Sequence, residues 1–114
     1  MTLAPLQDQL AELRRLCPSL LSGSEGERTL YLLPQLHLRD GCKPAVVDAL
    51  LCPFERDGYP FRLFFAEKIA TTKSLNWNVD GSMILDRKWF AFSWKVPGEL
   101  RLIQMVSSIV GGMV

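Results

Sequence analysis

Apolar residues at the two ends of this chain recur every three or four positions, while those between them fall into short runs broken by turn residues. That change of period restricts the fold more than any other feature. Over residues 3–17, Leu3, Leu6, Leu10, Leu13 and Leu16 form a helical stripe. Pro5 is tolerated in a first turn and Pro18 stops the helix. The polar stretch Ser22-Gly23-Ser24-Glu25-Gly26-Glu27 reads as a loop. Thr29 to Leu38 reads as a strand, and Pro34 inside it demands an edge position or a bulge. Arg39-Asp40-Gly41 is a turn, and Val46 to Cys52 is a second strand. A loop from Pro53 to Pro60, punctuated by Asp57-Gly58, leads into Phe61–Phe65, apolar enough for burial on both faces. Residues 70–78 are polar and irregular, and Asp80-Gly81 reads as a turn into Met83-Ile84-Leu85.

Trp89 to Trp94 is a strand or a packed corner. Alternation would send Trp89, Ala91 and Ser93 one way and Phe90, Phe92 and Trp94 the other, so bulky groups require burial on both sides or a partner. Pro97-Gly98 opens a last helix with Leu100, Ile103, Val106 and Val110 on one face, and Gly111-Gly112 closes it. With no βαβ alternation, the expectation is one α+β domain over 1–114: an N-terminal helix in 1–18, strands and an irregular segment in 29–94, and a C-terminal helix over 98–110.

Composition narrows the function. The chain has 114 residues, 48% apolar, enough for a core. Thirteen Lys and Arg balance 12 acidic residues, which does not suit nucleic-acid binding. No apolar run approaches the roughly 18 residues of a membrane span, and the first residues lack the order of a secretory signal. Three cysteines without a CxxC pair fit reduced thiols in the cytoplasm. A zinc site would need His37 with Cys17, Cys42 and Cys52 together, at spacings of no known finger, so no metal is expected. A Ser-His-Asp site would have to use His37, the single histidine. Phosphate-cradling glycine motifs are absent, and no cofactor is expected.

Four stretches together resemble the ubiquitin-conjugating (UBC) superfamily, in particular its bacterial branch known as prokaryotic family E. They are Leu33-Pro34 with Asp40-Gly41 and Val47-Asp48-Ala49-Leu50-Leu51; Gly58-Tyr59-Pro60 before Phe64-Phe65; Asn76-Trp77-Asn78 followed by Gly81-Ser82-Met83-Ile84-Leu85-Asp86; and Ser93-Trp94-Lys95-Val96-Pro97. The resemblance implies a UBC-like fold: an N-terminal helix, a four-stranded antiparallel meander, an irregular active-site segment and a C-terminal helix. Asn76, Asn78, Ile84 and Asp86 then stand at active-site-equivalent positions, with Ile84 where the family keeps the cysteine that carries the modifier. The implied partners are a ubiquitin-like modifier, an activating enzyme and a metal-dependent deconjugating peptidase.

An isoleucine forms no thioester, so the expected role is a binding or scaffold subunit, with Trp77 and Trp94 as partner-binding aromatics. An active transferase would need a displaced nucleophile: Cys42 or Cys52 as thiol, or Ser82 or Ser93 as hydroxyl. For a serine, the required base is not adjacent in sequence, and His37 would reach it only through folding. An assembly subunit unconnected with modifiers is the third alternative. Gly111-Gly112 resembles a modifier tail only superficially, because Ser107-Ser108-Ile109-Val110 carries a helical face into it.

Overall fold

The computed structural model describes residues 5–94 and 99–113. Its elements are α1 (Leu6–Leu16), β1 (Leu21–Glu25), β2 (Arg28–His37), β3 (Val46–Cys52), β4 (Arg62–Phe65), β5 (Val79–Ile84), β6 (Arg87–Ala91) and α2 (Leu102–Gly111). The strands make one antiparallel sheet in the order β1-β2-β3-β4-β6-β5. It curls into a half-barrel accompanied by two helices. This overturns the UBC-like expectation, which requires a four-stranded sheet with an N-terminal helix and further helices.

Two misread segments account for the difference. Of residues 22–27 only Gly26 and Glu27 form a turn: Leu21 to Glu25 pair with Leu32 to Arg28 as an edge strand. An edge strand with its residues largely exposed needs no apolar run, so polarity hid it. Asp80-Gly81 is not a turn either. Asp80 faces Phe90 and Ser82 faces Trp89, so Gly81, at φ +89°, is the extra residue of a bulge inside β5. The reversal comes at Leu85-Asp86, a two-residue loop with φ 51° and 61°, the backbone that matches strand twist in a hairpin.

Pro34 does mark a bulge, though in an interior strand. The β2–β3 register runs Leu33↔Ala49 and then Leu36↔Val47, leaving Pro34 and Gln35 opposite Asp48. Gln35 has φ 54°, and its N–H donates to Asp48 Oδ1 at 2.9 Å. The carboxylate thus satisfies a donor that the bulge removes from the ladder.

Both faces of the sheet are packed. On the helix side, Tyr31, Leu33, Leu36, Val47, Ala49, Leu51, Leu63, Phe65 and Phe92 meet Leu13 of α1 and Leu102, Val106 and Ile109 of α2. On the other side, among the described residues, no helix contributes. Leu30, Leu50, Cys52, Phe64, Ile84, Trp89 and Ala91 bury one another because the sheet wraps around them. Trp89 and Phe92 therefore lie in different cores, and the aromatic run is buried on two sides.

The helices pack at slightly different angles from those read in sequence. In α1 the inward residues are Gln9 and Leu13, continued by Cys17, while Leu6 and Leu16 are exposed; Leu3 lies outside the described residues. Gln9 turns inward because its Oε1 accepts the Leu102 N–H at 3.1 Å, tying α1 to the first turn of α2. In α2 the fully buried stripe is Leu102, Val106 and Ile109, with Ile103 and Val110 only partly covered. That helix begins at Leu102 rather than 98; Lys95, Val96, Pro97 and Gly98 lie outside the described residues. Gln104 Oε1 accepts the Arg101 N–H at 2.9 Å. Gly111 is the last helical residue, and Gly112 stays right-handed at φ −76°, so a left-handed glycine cap does not end the helix.

Candidate functional site

An arginine in the apolar run Phe61-Arg62-Leu63-Phe64-Phe65 must find acceptors if the strand is buried. Arg62 is 3% exposed at the start of β4, and its partners come from distant parts of the chain. Its NH2 donates to Asn78 Oδ1 at 2.8 Å and to the Phe92 carbonyl at 3.3 Å, and its NH1 reaches Asp57 Oδ2 at 3.4 Å. Burial holds the guanidinium below its usual pKa, opposed chiefly by the nearby Asp57 carboxylate.

Tyr59 lies beside it, placed by a tight turn. Asp57 and Gly58 take φ 55° and 84°, and the Arg56 and Tyr59 backbones exchange hydrogen bonds of 3.0 and 2.9 Å. The Arg62 guanidinium sits 4.2 Å from the Tyr59 ring centroid. Tyr59 OH accepts from Asn78 Nδ2 at 3.1 Å and shares a 2.9 Å hydrogen bond with Ser93 Oγ. Ser93 in turn donates its N–H to the Asn76 carbonyl at 2.7 Å. The hydrogen bond to Ser93, opposed by partial burial and helped by Asn78 and the Arg62 charge, holds the phenol below the usual tyrosine pKa. Asn76 and Asn78 are exposed, and Tyr59 and Ser93 half-buried, so solvent reaches the cluster.

Of the positions singled out in the sequence, Asn76, Asn78 and Ser93 converge here. Trp77 and Trp94 flank them, both half-buried: the Trp77 ring lies 5.4 Å and the Trp94 ring 6.5 Å from Phe92, edge-on. Ile84 does not converge. It is 1% exposed in the second core, at the opposite end of β5 from Asn78, roughly 20 Å along an extended strand. Asp86 is in the exposed hairpin turn beyond it, and Ser82 stands within β5 opposite Trp89.

The thiols are placed for packing. Cys42 is 5% exposed in the first core and Cys52 fully buried in the second. Burial raises the Cys42 pKa and pushes Cys52 up to about 12. Cys17 is likewise buried, raised by desolvation, and donates to the Pro34 carbonyl. None has the exposed, electropositive setting that produces a thiolate. His37 is at the C-terminal end of β2 and lines a groove with Leu16, Leu36, Arg39, Val106, Ser107 and Val110, away from either serine candidate.

Two members of the cluster, Tyr59 and Arg62, were not site candidates in the sequence. The Tyr-Pro pair and a lone arginine among aromatics were the signals available. Among the described residues no group of three or more His, Cys, Asp or Glu could hold a metal ion, and no helix is long and apolar enough to cross a membrane. Compared with family models, curated proteins and solved structures, the chain matches none.

Proposed function

We propose that this chain is a non-transferring binding subunit of a bacterial ubiquitin-like modification pathway, engaging the modifier or its activating enzyme through the surface around Tyr59, Asn78 and Ser93. One observation carries the reading. Residues from three of the four stretches that resemble conjugating enzymes meet in one solvent-reached cluster through Asn78 Nδ2, Tyr59 OH and Ser93 Oγ, and that cluster contains no thiol. With the UBC sheet excluded, support comes from the residue pattern and its convergence, not from a shared fold. Half-buried Trp77 and Trp94 beside the cluster supply the aromatic surface that interfaces use for affinity. Three unpaired, buried cysteines suit a reducing, cytoplasmic setting, and the near-zero net charge suits a protein partner better than a nucleic acid.

A second reading is favoured by the Tyr59–Ser93 hydrogen bond alone: Ser93 Oγ attacks the carbonyl of a modifier thioester on the activating enzyme, the ester bond forms as the C–S bond breaks and the enzyme's thiolate leaves, and the ionised form of Tyr59 takes the serine proton. Incubation with the pathway's activating enzyme, modifier and ATP separates the two. The proposed function requires complex formation without a covalent adduct. An adduct that resists reductant but yields to hydroxylamine, and is lost in Ser93→Ala, establishes the second reading instead. A reductant-cleaved adduct contradicts both, and the absence of any association leaves an assembly role unrelated to modifiers.

A further inference from the structure

The junction between β4 and β6 is the thinnest in the sheet. One register pair, Phe65↔Phe90, joins them, whereas the β1–β2, β2–β3 and β5–β6 junctions each have five pairs and β3–β4 has four. The β5–β6 hairpin is therefore well bonded internally and weakly laced to its neighbour. Even the Trp89 indole N–H stays within it, donating to the Ile84 carbonyl at 3.0 Å.

Apart from its buried side chains and an exposed Lys68–Asp80 ion pair of 3.0 Å, the hairpin is fixed at its two ends. At the base, Asn78 immediately precedes β5 and Ser93 lies two residues past β6; Asn78 is bonded to Arg62 and Tyr59, and Ser93 to Tyr59. Near the tip, Arg87 NH2 bonds Asp48 Oδ2 at 2.9 Å, and the Leu85 side chain rests on β1 at Gly23. A Cβ on Gly23 would stand 2.8 Å from Leu85 Cδ1. Leu85 holds this position with a left-handed backbone, which a leucine adopts only against a steric penalty. Asn-Gly would satisfy the same turn without that penalty; Leu85, 43% exposed, covers Gly23 with the part of its side chain that is buried. Beneath the hairpin lie Leu30, Leu50, Cys52 and Phe64, with Ile84 and Trp89 pressed on them.

We infer that the β5–β6 hairpin is a flap over the second core, latched by Leu85 on Gly23 and hinged at the Tyr59–Asn78–Ser93 cluster, and that it opens as a unit while the rest of the sheet stays folded. This goes beyond the proposed function and does not depend on it. An occupant of the cluster that pulls on Asn78 or Ser93 would shift the flap's equilibrium, since those residues are its hinge points.

Cys52 reports the motion. It lies beneath the flap, whereas Cys17 and Cys42 belong to the helix-side core. Maleimide labelling of the native chain, resolved by peptide mass spectrometry, gives a rate for each thiol. Leu85→Asn keeps a residue that accepts the left-handed turn but removes the latch. It should speed labelling of Cys52 about tenfold, as a modest loss of closing free energy implies, and leave Cys17 and Cys42 unchanged. Gly23→Ala, which pushes the latch off from the other side, should have the same selective effect. Unchanged Cys52 labelling in both variants, or equal acceleration of all three thiols, overturns the flap.

Discussion

Trp94 packs directly against the backbone of Gly112, so close that a Cβ there would stand 2.8 Å from indole Cδ2 and Cζ2. The contact joins the chain leaving the sheet to the end of α2, and it gives a reason for glycine at a position whose φ of −76° any residue could adopt. The constraint is one of space, not of conformation.

Gly112→Ala should therefore destabilise the fold by about 1–3 kcal/mol through overpacking. Urea unfolding followed by tryptophan fluorescence measures it. A midpoint equal to wild type would mean that Trp94 moves aside at no cost.

Arg62→Met should cost about 1–2 kcal/mol, because the buried Phe92 carbonyl loses its donor, while exposed Asn78 and Asp57 turn to water. Arg62→Lys should recover only part of that, since an ammonium cannot reach three acceptors with the guanidinium fork. Thermal unfolding of the two variants beside wild type gives the ranking.

Asp48 makes stability depend on pH. The Gln35 backbone N–H holds its carboxyl below the ordinary range, burial opposes it next, and the Arg87 hydrogen bond and charge add to the lowering. A depressed folded pKa means that the contribution is complete above the unfolded pKa of about 4 and is lost as pH falls through the folded value. Asp48→Asn keeps an acceptor for Gln35 but has no titration. Between pH 6 and pH 3 the urea midpoint of wild type should fall further than that of the variant.

Much of this architecture was legible where apolar runs are long. Val46–Cys52 and the Phe61–Phe65 run are strands, and the alternation through Trp89 to Phe92 does divide the aromatics between two cores. Pro34 announced its bulge. Hidden were β1, whose polar residues need only an edge, and the bulge at Gly81, whose Asp-Gly sequence imitates a turn. The resemblance to conjugating enzymes pointed to Asn76, Asn78 and Ser93, which lie together, and to Ile84, which does not join them, because a hairpin replaces the irregular segment and carries Ile84 into the core. Arg62 escaped notice because its acceptors Asn78 and Phe92 lie 16 and 30 residues away, a pairing that only the curl of the sheet creates.

Tyr59 should ionise below the ordinary tyrosine value of about 10. Absorbance titration of the native chain against Tyr59→Phe isolates its phenol from that of Tyr31. In Ser93→Ala the midpoint should rise, because the hydrogen bond to Ser93 is the largest cause of the shift.

Backbone amide shifts of the isotope-labelled chain, recorded while the pathway's ubiquitin-like modifier and, separately, its activating enzyme are added, test the functional account most directly. The account predicts saturable shifts concentrated at Tyr59, Asn76 to Asn78 and Ser93 to Trp94, with no covalent product. Shifts confined to the outer faces of α1 and α2, or none with either protein, would contradict it.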